Sequence, residues 1–494
     1  MKELLDVVYT PRSQWNDDVR RAFEAALKPR YYRIGNLVDK RNDEKRFQLR
    51  VNASLQEDSV PYAAIIPPGQ ELSGAYGGMS FVIFPADEDG QPALISMVIG
   101  TNGLAPDEAI LGRPGHGRKC AAITKWLNSL TNEGFGWAKR DPVRIDLDVP
   151  SSVRRKCESW DNSFEKYGKV VYACFAPPAV RTPASDIVVL DALTAFVDLF
   201  FQERRIELKK DASTESDRIR RDWTAHALPS TSEKVLQELL RTRRFVIIEG
   251  PPGTGKTELA RRILKEAYIG NGKEIQFHPG TTYESFIGGL APSEGGTMGF
   301  TFKPMPGHLM EACLEARKHP EKRYLLLIDE INRADLAKVL GEAIYLFEPD
   351  QTGRVVHLHY SFPEIGTAFS LPPNLDVIGT MNSADRSIAI LDIAVRRRFA
   401  FVPLWPQLDV VREHSGEKLT SAFQLLVNTF IEHATNDALP LLPGHAYFLG
   451  SDDVAYTRLT TEVAPLLEEY LAQGYVGGFA DEVRAYIDLI TQRY

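Results

Sequence analysis

Apolar positions recur along this chain in two rhythms, and the order of those rhythms divides it. Val19, Phe23, Ala26 and Leu27 are spaced as one face of a helix within Trp15 to Leu27, whereas Phe47 to Val51 and Tyr62 to Ile66 are short runs of strand length. Met79 to Phe84 and Ala93 to Ile99 predict a hairpin around the turn Asp87-Glu88-Asp89-Gly90. Residues 1–180 therefore predict a mixed α+β domain with a β core. Ile187 to Leu208 reads as a long amphipathic helix and Asp211 to Arg221 is polar without apolar periodicity, so 181–223 is expected to be helix and linker. From Arg243 strand-sized and helical runs alternate, which predicts an α/β fold over 224–404, a parallel sheet with helices on both faces. Lys273 to Phe277, Tyr324 to Asp329, Leu375 to Asn382 and Phe399 to Leu404 supply further strands. Gly295 to Pro306 reads as a glycine-rich hairpin, a candidate pore or substrate loop. Residues 405–494 are mostly helical and predict a lid.

Composition narrows the classes. A chain of 494 residues exceeds one ordinary core. Its apolar runs are strand-sized, far short of the roughly 20 residues of a membrane span. The first residues carry Glu3 and Asp6 where a signal sequence needs an apolar stretch, so a cytoplasmic location is expected. Cys120, Cys157, Cys174 and Cys313 form no CxxC pair, which argues against a zinc site or a disulfide framework. Residues 1–200 hold 25 basic and 26 acidic side chains and residues 201–494 hold 33 and 40, so any nucleic-acid contact must come from a local cluster. The most basic loop is Leu111 to Lys119, where Arg113, His116, Arg118 and Lys119 are candidate DNA contacts or else a solvated turn ahead of the helix with Trp126 and Leu127. Tyr31, Tyr32 and Tyr76 could stack a base, although core packing explains each as well.

The sharpest chemistry lies at Gly250-Pro251-Pro252-Gly253-Thr254-Gly255-Lys256-Thr257, which fits GxxxxGK[ST] after the apolar run Phe245 to Ile248. Glycines let backbone N–H groups close around a phosphate, and the helix that follows aims its positive end at the same anion. Lys256 suits the outer phosphates and the Thr257 hydroxyl suits Mg²⁺. Tyr324 to Asp329 ends in adjacent carboxylates: Asp329 can hold the metal shell and Glu330 can polarise an attacking water. Leu375 to Asn382 ends in an amide that can orient this water. Asp385 and Arg386 are expected in a turn, and Arg396, Arg397 and Arg398 close a helix, more cations than a helix C-terminus needs. A guanidinium delivered to a neighbouring subunit's phosphate is the sharper reading. Pro443 to Phe448 interrupts the lid with a loop that could face the nucleotide or be a packed histidine turn.

Asp329-Glu330-Ile331-Asn332-Arg333-Ala334, Met381-Asn382-Ser383-Ala384-Asp385-Arg386-Ser387 and Arg396-Arg397-Arg398-Phe399 resemble the AAA+ module of the McrB family, with Ser383 where that family usually shows threonine. The resemblance covers roughly 225–494. It implies an AAA+ module with a helical lid, preceded here by the α+β domain, which looks similar to an N-terminal domain of some McrB-like proteins. By resemblance Asn382 is sensor 1, Arg397 is the finger with Arg398 beside it, and Asn332 aids water positioning. It further implies a ring, expected to be a hexamer, that hydrolyses GTP in preference to ATP. Such a ring drives a separate McrC-type nuclease subunit on DNA with modified cytosine. The motifs themselves specify NTP chemistry, not the base. A MoxR-like protein-remodelling ATPase, with residues 1–200 as adaptor, is the competing class. A nuclease within this chain would rest on Glu207-Leu208-Lys209 alone.

Overall fold

A computed structural model describes residues 1–32, 34, 47–54, 59–71, 73–294, 300–348, 351, 353–385 and 393–493. The chain forms two compact units, 1–228 with 431–434, and 229–430 with 435–494. Among the described residues no helix is long and apolar enough to cross a membrane.

The first unit is built on strands β1 (Gln48–Asn52), β2 (Tyr62–Ile66), β3 (Met79–Phe84), β4 (Leu94–Ile99), β5 (Phe135–Ala138) and β6 (Val171–Ala176). They form one antiparallel sheet in the order β1-β2-β3-β4-β6-β5. Alternate residues enter two different cores: Ile65, Phe81, Ile83, Ile95 and Met97 on one face, Ala64, Val82, Leu94, Val98 and Cys174 on the other. Both faces are covered, which is why β3, β4 and β6 are buried at every position and read as apolar runs interrupted only by Ser80 and Ser96.

The helix Pro183–Gln202 runs through the first of these cores and is buried on nearly all sides, where an amphipathic helix was expected. Two of its buried residues are carboxylates. Asp198 takes a two-pronged ion pair from Arg30, at 2.9 and 2.8 Å, together with the hydroxyls of Tyr31 and Ser216, and Asp191 takes Arg218 at 2.6 Å. Ser216 and Arg218 belong to a helix, Lys210–Thr224, in the stretch expected to be linker. Its apolar contribution is only Ile219 and Trp223, too few to register as a period; what anchors the rest is polar bonding to the neighbouring helix.

The second unit carries the parallel sheet. Its strands are β7 (Phe245–Gly250), β8 (Gly272–Gln276), β11 (Tyr324–Asp329), β14 (Leu375–Asn382) and β15 (Ala400–Pro403), in the order β15-β7-β14-β11-β8. All neighbours are parallel, so every strand ends at the same edge. Phe245, Ile247, Leu326, Ile328 and Val377 face one core with the helix His308–Lys318; Val246, Ile248, Leu325, Leu327 and Ile378 face another with the helix Lys256–Glu266. Two hairpins leave this sheet. One is β9 (Gly288–Glu294) with β10 (Phe300–Pro306), whose tip lies outside the described residues; the other is β12 (Val356–Phe362) with β13 (Gly366–Phe369). The chain steps from β7, second in the sheet, to the far edge at β8 and later returns to both sides of β7, which opens a crevice at the strand ends. Helices Leu408–His414, Ala464–Ala472 and Ala480–Arg493 belong to the lid.

Asp198→Ala leaves the buried Arg30 cation with only the half-exposed Glu215, at 2.6 Å, as an acidic partner and is expected to cost about 3 kcal/mol in urea unfolding. A loss below about 1 kcal/mol would contradict a structural role for the pair.

Candidate functional site

The site starts where β7 stops. Gly250 ends the strand, the loop turns through Gly253 and Gly255, and the helix Lys256–Glu266 begins. Gly255 caps that helix in the left-handed region at φ 77°, which a side chain would disfavour. Lys256 is folded back onto its own loop: Nζ donates to the carbonyls of Gly250 at 3.0 Å and Pro251 at 2.7 Å. Burial pushes its amine down to about 8, against the opposing pull of Asp329, Asp385 and Glu330. Thr254 is buried and its hydroxyl donates to the Pro251 carbonyl at 3.0 Å, holding the turn.

Across the crevice, Thr257 Oγ1 donates to Asp329 Oδ1 at 2.7 Å, joining the first turn of the helix to the end of β11. The same carboxylate oxygen accepts a second hydroxyl, that of Thr380 on β14. Glu330 follows Asp329 with φ 53° and ψ 46°, a left-handed conformation that costs a non-glycine residue about 1–2 kcal/mol. Its N–H donates to Thr380 Oγ1 at 3.1 Å and its carboxylate pairs with Arg333. Asn332, 5% exposed, donates from Nδ2 to the main-chain oxygen of Asn382 at 3.4 Å, and its Oδ1 is buried with no hydrogen-bond partner among the described residues. An orphaned buried acceptor at such an edge is suited to a water or ligand proton. Asn382 itself lies beside Gly250 in the β14–β7 register, and Ser383 N–H donates to the Gly250 carbonyl at 3.0 Å. The edge therefore gathers Gly250 to Thr257, Asp329, Glu330, Asn332 and Asn382.

The triphosphate and Mg²⁺ chemistry expected from the motifs fits these residues. Main-chain N–H groups at a helix N-terminus, one lysine, two carboxylates and a hydroxyl already directed at Asp329 form an oxygen-rich set of the kind that suits a magnesium phosphate.

The arginine helix is Ile393–Arg398, next to β15. Its three guanidinium groups have different surroundings. Arg396 lies over the Phe401 ring at 5.0 Å, and Arg398 donates to the Ala394 carbonyl at 2.9 Å and approaches Glu348 at 3.5 Å. Arg397 is exposed and has no partner among the described residues. Arg386, expected in the preceding turn, lies outside the described residues.

The lid loop packs against the phosphate loop. Gly444 N–H donates to the Pro252 carbonyl at 2.9 Å and Ala446 N–H to the Gly253 carbonyl at 3.0 Å. A Cβ on Gly444 would stand 2.1 Å from the Gly253 carbonyl carbon, so only glycine allows this approach. His445 accepts the Gln407 N–H at 3.3 Å through Nδ1, and burial pushes its imidazole down to about 4, which keeps it neutral. Thr380, Arg333 and this backbone docking escaped the sequence reading. Thr380 alone left a signal, a hydroxyl two residues before Asn382 that comes beside Asp329 once the two strands are aligned.

The basic stretch of the first unit is the opening of a helix, Pro114–Leu130, not a loop, since proline is at home in a first helical turn. His116 is fully buried, 3.1 Å from the Tyr172 hydroxyl and 3.4 Å from Glu203. Lys119 binds Glu203 at 2.9 Å, Arg113 stands 3.5 Å from it, and Arg118 donates to main-chain carbonyls. Three of the four thus converge on one buried carboxylate. Tyr31 is buried on Asp198, Tyr76 bonds Ser80 at 2.9 Å, and Tyr32 is about half exposed.

A parallel sheet in this strand order, with a phosphate loop, paired carboxylates, a polar residue ending the neighbouring strand and a helical lid, defines a P-loop nucleotide-hydrolysing protein of the AAA+ class. Residues 245–399 match the AAA domain of the dynein-related subfamily. The chain is 30% identical over 356 residues to the Type IV methyl-directed restriction enzyme EcoKMcrB subunit of Escherichia coli K12, covering 66% of this chain and 76% of that protein. It is also 30% identical over 201 residues to the BsuMI type II restriction enzyme component YdiS of Bacillus subtilis 168, covering 34% of this chain and 58% of that one. The chain belongs to the McrB family. NtrX from Brucella abortus superposes with a TM-score of 0.25 at 13% identity, over 62% of this chain and 76% of that one, too slight a likeness to bear on function.

A phosphate binds the charged form of Lys256, whose amine titrates near 8 in the free protein. Affinity for a fluorescent triphosphate is therefore expected to hold up to about pH 7.5 and then to fall, approaching tenfold per pH unit at higher pH, with proton uptake on binding. Affinity flat between pH 7 and 9.5 would contradict a phosphate-binding amine lowered into this range by burial.

Proposed function

We propose that this chain is the motor subunit of a modification-dependent restriction system, hydrolysing GTP in preference to ATP with Mg²⁺ in a ring of like subunits. One observation carries the reading. Lys256, Thr257, Asp329, Glu330, Asn332 and Asn382 meet at one sheet edge, while Arg397 on the same unit is exposed and has no partner among the described residues. In this reading Asp329 and Thr257 hold the cation, and Glu330 takes the proton of the attacking water while Asn332 and Asn382 orient it. Arg397 reaches the triphosphate of the adjoining subunit, with a hexamer as the expected ring. Arg398 is the weaker candidate for that task because Ala394 and Glu348 already engage it.

GTP preference, the McrC-type nuclease partner and the modified-cytosine target come from McrB kinship; that the E. coli relative is a methyl-directed enzyme supports the last. That kinship favours the restriction motor over the remodelling chaperone. The first unit is then the DNA reader. Arg113, His116, Arg118 and Lys119 do not carry that role in our proposal, because their side chains are engaged within the protein.

Glu330→Gln is expected to retain triphosphate binding while turnover falls roughly 10²- to 10⁴-fold. Equal loss of binding and turnover would point to a folding defect, and retained turnover would remove Glu330 from the chemistry. Arg397→Ala is expected to lower turnover roughly 10³-fold or more and to regain activity when mixed with Glu330→Gln subunits, since each supplies what the other lacks. If no mixing ratio restores activity, the guanidinium does not act across subunits. GTP turnover no faster than ATP turnover would refute the base preference alone.

A further inference from the structure

We infer that Thr380 is the positioning residue that sets both carboxylates of the hydrolytic site, an inference that rests on the nucleotide-hydrolysing reading of that site. Thr380 lies within β14, 1% exposed, with Gly379 and Met381 on either side of it. Burying a lone hydroxyl there is costly unless both its bonding capacities are used. They are. Its proton goes to Asp329 Oδ1, and its oxygen accepts the Glu330 N–H at 3.1 Å. One hydroxyl on the neighbouring strand thus grips the last residue of β11 by its carboxylate and the residue that follows it by its backbone.

The backbone grip matters because of the turn it holds. In an extended strand, consecutive side chains point to opposite faces of the sheet, which would send the Glu330 carboxylate away from Asp329. Glu330 instead leaves the strand at φ 53° and ψ 46°, which rotates its side chain out of the strand's alternation. A glutamate holds this conformation only where its surroundings compensate the strain, and the Thr380–Glu330 bond is a direct source of compensation.

The carboxylate grip has a separate purpose. Asp329 Oδ1 accepts two hydroxyls, from Thr257 and Thr380. Thr257 is the hydroxyl that the phosphate-loop pattern assigns to a cation. Thr380, on the other side, is left as the one that fixes the rotation of the carboxylate. Asn382 ends the same strand two residues later, so the water-orienting amide and the hydroxyl that sets the carboxylates are held in one rigid register.

Thr380→Val keeps the shape of the side chain and removes both bonds, whereas Thr380→Ser keeps the hydroxyl. In the full-length chain, Thr380→Val is expected to lower kcat roughly 10- to 100-fold while the KM for nucleotide changes less than about twofold, and Thr380→Ser is expected to recover kcat to within about threefold of the unaltered protein. A second measurement does not depend on turnover. Hydrogen exchange at the Glu330 amide, read without nucleotide, is expected to be slow in the unaltered protein and in Thr380→Ser and faster in Thr380→Val by roughly 10-fold or more. Unaltered kcat in Thr380→Val, or a Glu330 amide already unprotected in the unaltered protein, would overturn the inference. Should Thr380→Val not fold, exchange in the unaltered protein and Thr380→Ser still decides it. An unaltered protein that protects this amide yet hydrolyses no triphosphate would sink the proposed function, not the bond.

Discussion

A single carboxylate oxygen joins the parts of this protein that must act together. Asp329 Oδ1 receives Thr257 from the helix after the phosphate loop and Thr380 from the neighbouring strand, while its own strand continues directly into the turn of Glu330. Three segments separated by about 50 to 70 residues in the chain are thereby tied within hydrogen-bond reach of one atom. Hydrogen bonds to an ionised acceptor are stronger and shorter than neutral ones, so the site is preorganised before any ligand enters. The lysine completes the picture. In the free protein it satisfies itself on the loop's own carbonyls, an arrangement that a phosphate is well suited to displace.

The first unit uses the same device for a different end. Asp198, Asp191 and Glu203 are buried acids, each bonded by cations from neighbouring elements, and Asp198 by two hydroxyls besides. Desolvating such groups is expensive, and full bonding makes the expense tolerable. What the unit gains is definition, because a helix as poor in apolar residues as Lys210–Thr224 is located by those acids more than by hydrophobic contact.

How much of this could be read in the sequence follows from how local each signal is. The phosphate loop was legible because strand, glycines, lysine and helix are contiguous. The limits of β11 and β14 were legible because a doubly covered parallel strand is an apolar run that stops at a charge or amide. Thr380 was not, since a threonine in an apolar run is unremarkable until β14 lies beside β11. The Lys210–Thr224 helix leaves no apolar period in the sequence because its anchors are ion pairs and a hydroxyl bond to residues elsewhere. Hairpin β12–β13 escaped because its register shifts between His357 and Phe362 and exposed Tyr360 breaks the alternation of β12. The docking of Gly444 and Ala446 onto the phosphate loop involves backbone groups, about which side-chain patterns are silent. In the first unit, Arg113, His116 and Lys119 looked like a surface cluster because the acid they serve, Glu203, is more than 80 residues away.

Asp329 is the atom-level centre of this arrangement, and its role can be measured without following hydrolysis. Triphosphate affinity should be determined with Mg²⁺ and with chelator, in the unaltered chain and in Asp329→Asn, an amide of the same shape. If Asp329 holds the cation, Mg²⁺ tightens binding by roughly tenfold or more in the unaltered chain and by little or nothing in Asp329→Asn, while affinity in chelator is similar for the two. Equal Mg²⁺ enhancement in both proteins would contradict the assignment of Asp329, and with it the claim that this edge is built around a magnesium triphosphate.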